Sequence, residues 1–144
     1  KRVAHMVAHP VPEQTDLREL FGRVECCQLC FYFDAETQRR VMAELPTLVA
    51  SRWCPIFADV NVAGIDKATG MEEFMRSYGF SAAEVAAFGD SMNDYEILRM
   101  VGMPIAMENG RSAIKQIARK VIGPNTEHSV QKELRRMLEE LSAR

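Results

Sequence analysis

Asp90, Asn93 and Asp94 fall within the short run Phe88-Gly-Asp-Ser-Met-Asn-Asp94, and Lys67 stands 23 positions before Asp90. The set offers hard oxygen donors and one cation, with no soft ligand among them. Hard oxygen suits Mg2+ better than zinc or copper. A lysine ammonium is a point charge suited to phosphate oxygens. The chemistry these residue types imply is phosphoryl chemistry. The plainer use of Asp90 and Asn93 is as turn and cap residues. A calcium loop is excluded: counting from Asp90, the third position is Met92 and the twelfth is Val101, neither of which can coordinate.

Those residues need elements to hold them. Val85–Phe88 is small and apolar, as in a short buried strand of a parallel sheet. Gly89-Asp90 makes a tight turn, and Gly89 lets the backbone approach whatever Asp90 holds. A helix follows from about Asn93 to Val101 and ends at Gly102 and Pro104. Ligands bind at the carboxyl ends of strands in such sheets. Lys67 opens another helix, capped by Asp66, with Met71, Phe74, Met75 and Tyr78 on one stripe and Gly79 as its stop. A cation in a first turn opposes the helix dipole, at a cost of roughly a few tenths of a kcal/mol. Solvation is the bland account of such a lysine; a phosphate in front of it is the functional one. One helix and one strand separate Lys67 from Asp90, which brings both to one rim of the sheet.

The same alternation continues. Ser81-Ala-Ala-Glu84 has capping-box spacing. Pro104–Met107 and Lys120–Ile122 read as strands. Ala113, Ile114, Ile117 and Ala118 mark one helix, and Val130, Leu134, Met137, Leu138 and Leu141 mark the last. Helix and short strand in turn predict an α/β fold with a partial, doubly wound, Rossmann-like parallel sheet.

The earlier part reads differently. Residues 1–15 carry Pro10 and Pro12 and read as a strand remnant or linker. Asp16–Gly22 reads as a short helix and Val24–Phe33 as a strand. Asp34 opens a helix over about Ala35–Leu45 that stops before Pro46, and strands follow at Leu48–Trp53 and Ile56–Val62. This order suggests part of an α+β unit, an antiparallel sheet with helices on one face. The change of style near Gly64 predicts units at 1–64 and 65–144.

Composition sets outer limits. The chain has 144 residues and a net charge of -2. No basic field is available for nucleic acid or an anionic membrane. No apolar run approaches the ~18 residues of a membrane helix. The first residue is Lys1 and no signal-like segment follows, so a processed or truncated cytoplasmic chain is expected. Cys27-Gln-Leu-Cys30 has redox spacing, but in a strand the two would face opposite sides. Cys26, Cys27 and Cys30 are expected to be buried structural thiols, with a thiol or zinc module as the competing reading. His5 and His9 have zinc-like spacing without a nearby Glu and with Pro10 beside them, so no site is assigned there.

The runs Gly64-Ile-Asp-Lys67, Phe88-Gly-Asp-Ser-Met-Asn-Asp94 and Pro104-Ile-Ala-Met-Glu-Asn109 resemble, in order and spacing, the Cof-type branch of the haloacid dehalogenase (HAD) superfamily. The likeness covers about residues 56–144. Residues 1–55 resemble only in style the rear half of that branch's cap. The resemblance implies a Mg2+-dependent phosphatase of small phosphorylated metabolites such as sugar phosphates, working through an aspartyl-phosphate. It implies that Lys67 contacts the phosphoryl group and the nucleophile, and that Asp90 ligates the metal. It also implies that Asn93 and Asp94 complete the loop, Asp94 as a catalytic acid close to the metal or just behind its ligands, and that Asn109 lies near the phosphate. Ala68 departs from the family's frequent glycine. A larger departure is that the chain has no Asp-x-Asp: Asp34 and Asp59 stand in the cap-like part, and the family's nucleophile is missing. The implied fragment is the rear of a cap and of a core, inactive alone. Without the family's nucleophile strand, Val85–Phe88 would have an open edge, to be covered by the missing N-terminal half, another copy or a swapped segment. The alternative is a non-catalytic binding or regulatory module that kept the fold. Arg52 and Trp53 are candidates for substrate contacts.

Overall fold

The computed structural model describes residues 13–20 and 22–143, with Trp53 and Cys54 described by backbone alone. His5, His9, Pro10, Pro12 and the Trp53 side chain therefore lie outside the described part. The chain divides into two compact units, one ending at Ala63 and the other beginning at Gly64.

Among the described residues, the first unit runs α1 (Leu17–Leu20), β1 (Leu29–Phe31), α2 (Ala35–Ala43), β2 (Leu48–Cys54) and β3 (Phe57–Val62). Its sheet has the order β1-β3-β2, antiparallel throughout. Asp34 caps α2 by accepting the Thr37 amide at 2.8 Å. Among the described residues of this unit, Phe57, Ala58 and Val60 of the central strand are the buried ones. The strand expected over Val24–Phe33 is cut to three residues. Residues 22–28 form turns and bends, because only Leu29, Cys30 and Phe31 find partners on β3. A second correction follows from this: Cys26, Cys27 and Cys30 are exposed, not buried. Apolar sequence had suggested a strand and a core there, but β structure depends on cross-strand partners more than on propensity.

Arg52, a guess for substrate contact, is spent inside this unit. Its Nε donates to Gln38 Oε1 at 2.8 Å, and its two amino groups donate to Phe33 O at 2.8 Å and Pro55 O at 3.0 Å. The guanidinium also lies 5.8 Å from the Phe33 ring centre. A planar fork with five donors fits three divergent acceptors, which a lysine would not.

The second unit runs α3 (Lys67–Tyr78), a 3-10 turn (Ala82–Glu84), β4 (Ala86–Gly89), a 3-10 turn (Met92–Asp94), α4 (Tyr95–Met100), β5 (Met103–Met107), α5 (Ser112–Ile117), β6 (Lys120–Ile122), a 3-10 turn (Asn125–Glu127) and α6 (Ser129–Ser142). The sheet is parallel in the order β4-β5-β6. Alternate residues of its strands serve opposite faces. Ala87 and Ala106 pack with Leu98, Val101 and Ile114. Ile105, Met107 and Ile122 pack with Val130 and Met137 of α6. Helices thus cover both faces, as a doubly wound sheet requires. β4 is an outer strand of this sheet.

The helix punctuation follows the sequence. Asp66 accepts the Thr69 amide at 2.9 Å, and the Thr69 hydroxyl receives the Asp66 amide at 2.9 Å. Gly79 ends α3 at φ 74°, a left-handed conformation that glycine takes without a Cβ penalty. The helix expected to begin at Asn93 begins instead at Tyr95, after a tighter turn.

Candidate active site

The site is built from the end of β4 outward. Gly89 ends the strand, and Asp90 is the next residue in the loop. A Cβ on Gly89 would stand 2.7 Å from Asp94 Cβ and 2.8 Å from Leu98 Cδ1. Only glycine lets the turn of Met92–Asp94 lie this close to the strand. The neighbours that Gly89 makes room for are Asp94 and Leu98.

Asp94 is the hub. Its Oδ1 receives the Lys67 ammonium at 2.5 Å. Its Oδ2 accepts the amides of Asp90 at 3.0 Å and Ser91 at 3.1 Å. The Asp94 side chain is 8% exposed and that of Lys67 53%. One nearly buried carboxylate therefore holds the Asp90 loop with one oxygen and the lysine with the other. Burial pushes the Asp94 carboxyl up. The Lys67 hydrogen bond, then those of the Asp90 and Ser91 amides, pull it further down, and the net position is below its ordinary value of 3.8. Lys67 keeps two ammonium donors for another partner.

Asp90 has an exposed side chain, and its backbone is fixed on both sides, by the bond to Asp94 and by the Arg111 amide donating to its carbonyl at 2.9 Å. Gly110 makes the second tie possible. A Cβ there would stand 2.9 Å from Met107 O, 3.0 Å from Asp90 Cα and 3.2 Å from Asp90 O. The loops after β4 and β5 thus lock together at the carboxyl end of the parallel sheet, where such folds bind ligands.

Lys67, Asp90 and Asp94 are brought together. Asn93 lies exposed on the same turn. Asn109 lies on the adjoining loop, where its carboxamide oxygen accepts the Asn125 amide at 3.0 Å. Two features escaped the sequence reading. The Ser91-Met-Asn-Asp94 spacing is that of a capping box, which signals that Asp94 turns back on the chain. Asn109-Gly110 is a turn dipeptide, which signals the tight seat against Asp90.

The donor set bears on what the loop can hold. Among the described residues no three His, Cys, Asp or Glu side chains gather into a metal cage. Mg2+ needs no such cage, since it commonly binds through one or two carboxylates plus substrate phosphate and water. The Asp90 carboxylate, hard and exposed, fits that use. Asp94 already carries three donors.

Comparison with known proteins follows the same lines. The family described as haloacid dehalogenase-like hydrolase matches residues 3–134. The 5-amino-6-(5-phospho-D-ribitylamino)uracil phosphatase YitU of Bacillus subtilis is 36% identical over 81 residues, covering 55% of this chain and 30% of that protein. BT1666 of Bacteroides thetaiotaomicron, studied among the HAD superfamily phosphatases, superposes with a TM-score of 0.80 at 43% identity, over 94% of this chain and 50% of its own. BT4131, a HAD subclass IIB sugar phosphatase, gives a TM-score of 0.73 at 27% identity, over 94% of this chain and 52% of its own. The chain thus spans about half the length of these solved structures.

Proposed function

Because the chain belongs to the haloacid dehalogenase-like hydrolases, we propose that it supplies the cation and metal-loop side of a phosphatase acting on small phosphate monoesters. The observation that carries this reading is the Lys67–Asp94 pair, tied through Asp94 to the Asp90 loop. A half-exposed ammonium, tied through Asp94 to the loop that carries the exposed Asp90, is suited to a phosphoryl group and its counter-ion.

Lys67 receives a phosphoryl oxygen on its remaining ammonium protons. The Asp94 carboxyl, pushed up by burial but held below its ordinary value by the Lys67 and amide hydrogen bonds, keeps the ammonium aimed and the Asp90 loop closed on its turn. Asp90 would hold Mg2+, which when bound would supply charge neutralisation at the phosphoryl oxygens. Asn93 and Asn109 border the phosphate from the two loops. The nucleophilic aspartate comes from outside these residues, which contain no Asp-x-Asp. It attacks phosphorus, forms an aspartyl-phosphate and releases the alcohol, and water then hydrolyses the acyl phosphate. The relatives' phosphoribitylamino-uracil and sugar phosphates support a small phosphorylated metabolite as substrate.

The reading is tested on the chain itself by amide NMR with millimolar Mn2+ as a paramagnetic stand-in for Mg2+. Line broadening should centre on Asp90–Asn93 and Arg111 and disappear in Asp90→Asn. Broadening centred elsewhere, or none, defeats the metal assignment.

A further inference from the structure

The loop after β6 also lies at the carboxyl end of the sheet, and the phosphatase reading gives it no role. It passes Gly123 and Pro124, makes the 3-10 turn Asn125–Glu127 and enters α6 through His128. One peptide unit in it is held from both sides. The Ser129 hydroxyl donates to Pro124 O at 2.8 Å, and the Asn125 amide of the same peptide donates to Asn109 Oδ1 at 3.0 Å. Ser129 is 6% exposed, so its hydroxyl is a fixed point at the start of α6. A Cβ on Gly123 would stand 2.7 Å from that hydroxyl oxygen, so the chain must pass it without a side chain. The Asn125 amide opens the 3-10 turn, where an N–H finds no partner within the turn itself. Asn109 supplies the partner from another loop.

Asn109 stands on the turn that fixes Asp90. In that turn the Glu108 amide donates to Ile122 O at 2.8 Å, the Gly110 amide to Met107 O at 2.9 Å and the Arg111 amide to Asp90 O at 2.9 Å. The first two are main-chain bonds to β6 and β5. The Asn109 carboxamide adds a side-chain bond from the loop beyond β6. Hydrogen bonds therefore run in a row from Ser129 through the 124–125 peptide to Asn109, and from the Arg111 amide through Asp90 to Asp94, whose other oxygen holds Lys67. All of them lie within the second unit, so none depends on what covers its surface. A carboxamide oxygen is an acceptor, as phosphate oxygens are, and its place on the Asn125 amide keeps it off the phosphate.

Resting on the phosphatase reading, we infer that Asn109 and Ser129 are positioning residues: they clamp the 124–125 peptide between them, and the clamp sets the turn of Asn109–Arg111 and, through the Arg111 amide, the Asp90 loop. Ser129 acts without touching Asp90, the ion or the phosphate. Partners of this kind, behind a metal-binding residue, set its aim and so its affinity.

Amide hydrogen exchange and a Mn2+ titration, both followed by NMR on the chain itself, test it. Asn109 is exposed, so Asn109→Ala leaves the core intact. It should speed exchange at the Arg111 amide by about tenfold or more, while the amides in the middle of α6 keep their wild-type rates. Asn109→Asp keeps an oxygen in the same place and should restore the protection. Ser129→Ala should also speed exchange at Arg111. The double variant should exchange there no faster than Asn109→Ala, because one clamp serves both residues. Broadening at Asp90 should need about tenfold more Mn2+ in Asn109→Ala, and more than wild type in Ser129→Ala. A wild-type rate at Arg111 in Asn109→Ala, no rescue by Asn109→Asp, or additive effects of the two changes overturns the clamp. A loosened Arg111 amide with an unchanged Mn2+ requirement overturns the positioning role. A wild-type chain that binds no Mn2+ defeats the metal assignment instead, and the exchange rates still decide the clamp.

Discussion

Lys67 Nζ lies 2.5 Å from Asp94 Oδ1, although 27 positions separate the two residues. The pair joins the start of α3 to the turn beyond β4. The cost of a cation in a first helical turn is offset by a nearly buried carboxylate on its other side.

Removing the ammonium should be legible in that carboxylate. Asp94 is depressed, so its ion pair contributes stability above the ordinary value of 3.8, and the contribution is lost as pH falls through the lower folded value. In Lys67→Met, burial faces only the two amide bonds, and the Asp94 pKa should rise. Carboxyl 13C NMR titration measures this directly. A pKa that does not move would show that the pair is absent in solution.

Gly89→Ala should cost about 1–3 kcal/mol, because the new Cβ meets Asp94 and Leu98 below 3 Å. Gly110→Ala should strain the Asp90 tie by a similar amount, since its nearest atoms are backbone. Urea denaturation reads the stability. Loss of protection at the Arg111 amide in hydrogen exchange reads the tie. An unaffected Arg111 amide in Gly110→Ala would contradict the interlocked loops.

Glu133 offers a pH test. The Arg136 hydrogen bond holds it lowest; burial works against that, and Lys120 adds to the lowering, leaving it at about 2 against an ordinary 4.5. Its folded value is depressed, so its contribution is complete above about 4.5 and lost between there and about 2. Glu133→Gln should cost roughly 2 kcal/mol near neutral pH and flatten the acid limb of thermal stability. Equal acid sensitivity in both proteins would show that the β6–α6 tie carries little.

Arg52→Lys should weaken the first unit by about 1–3 kcal/mol, since one ammonium cannot reach Gln38, Phe33 and Pro55 together. Thermal melting followed at amides of β2 and β3 measures this. Wild-type stability would return Arg52 to the pool of residues free to meet a substrate.

Much of the second unit was legible because its signals are local. Asp66, Gly79 and the 3.6-residue stripe bound α3, and Gly89-Asp90 marks the end of a buried strand. The first unit was less so. Val24–Phe33 is apolar enough for a strand, but β1 extends only as far as β3 pairs it, and no local pattern announces that length. The three cysteines were expected in a core because that strand was expected around them. At the site, the residues were legible but not their division of labour. Asp94 was expected as an acid close to the metal or just behind its ligands, and its carboxylate spends its oxygens on Lys67 and two amides. That arrangement depends on how tightly two glycines let loops approach.

The most direct test of the central claim is steady-state hydrolysis of p-nitrophenyl phosphate with and without Mg2+. It would be measured on this chain and on the chain joined to the remaining half of BT1666. The 144-residue chain should give no Mg2+-dependent turnover. The joined protein should be active, and Lys67→Met or Asp90→Asn should each lower its kcat by about 100-fold or more. Steady Mg2+-dependent turnover by the chain alone, or a joined enzyme indifferent to both substitutions, would contradict it.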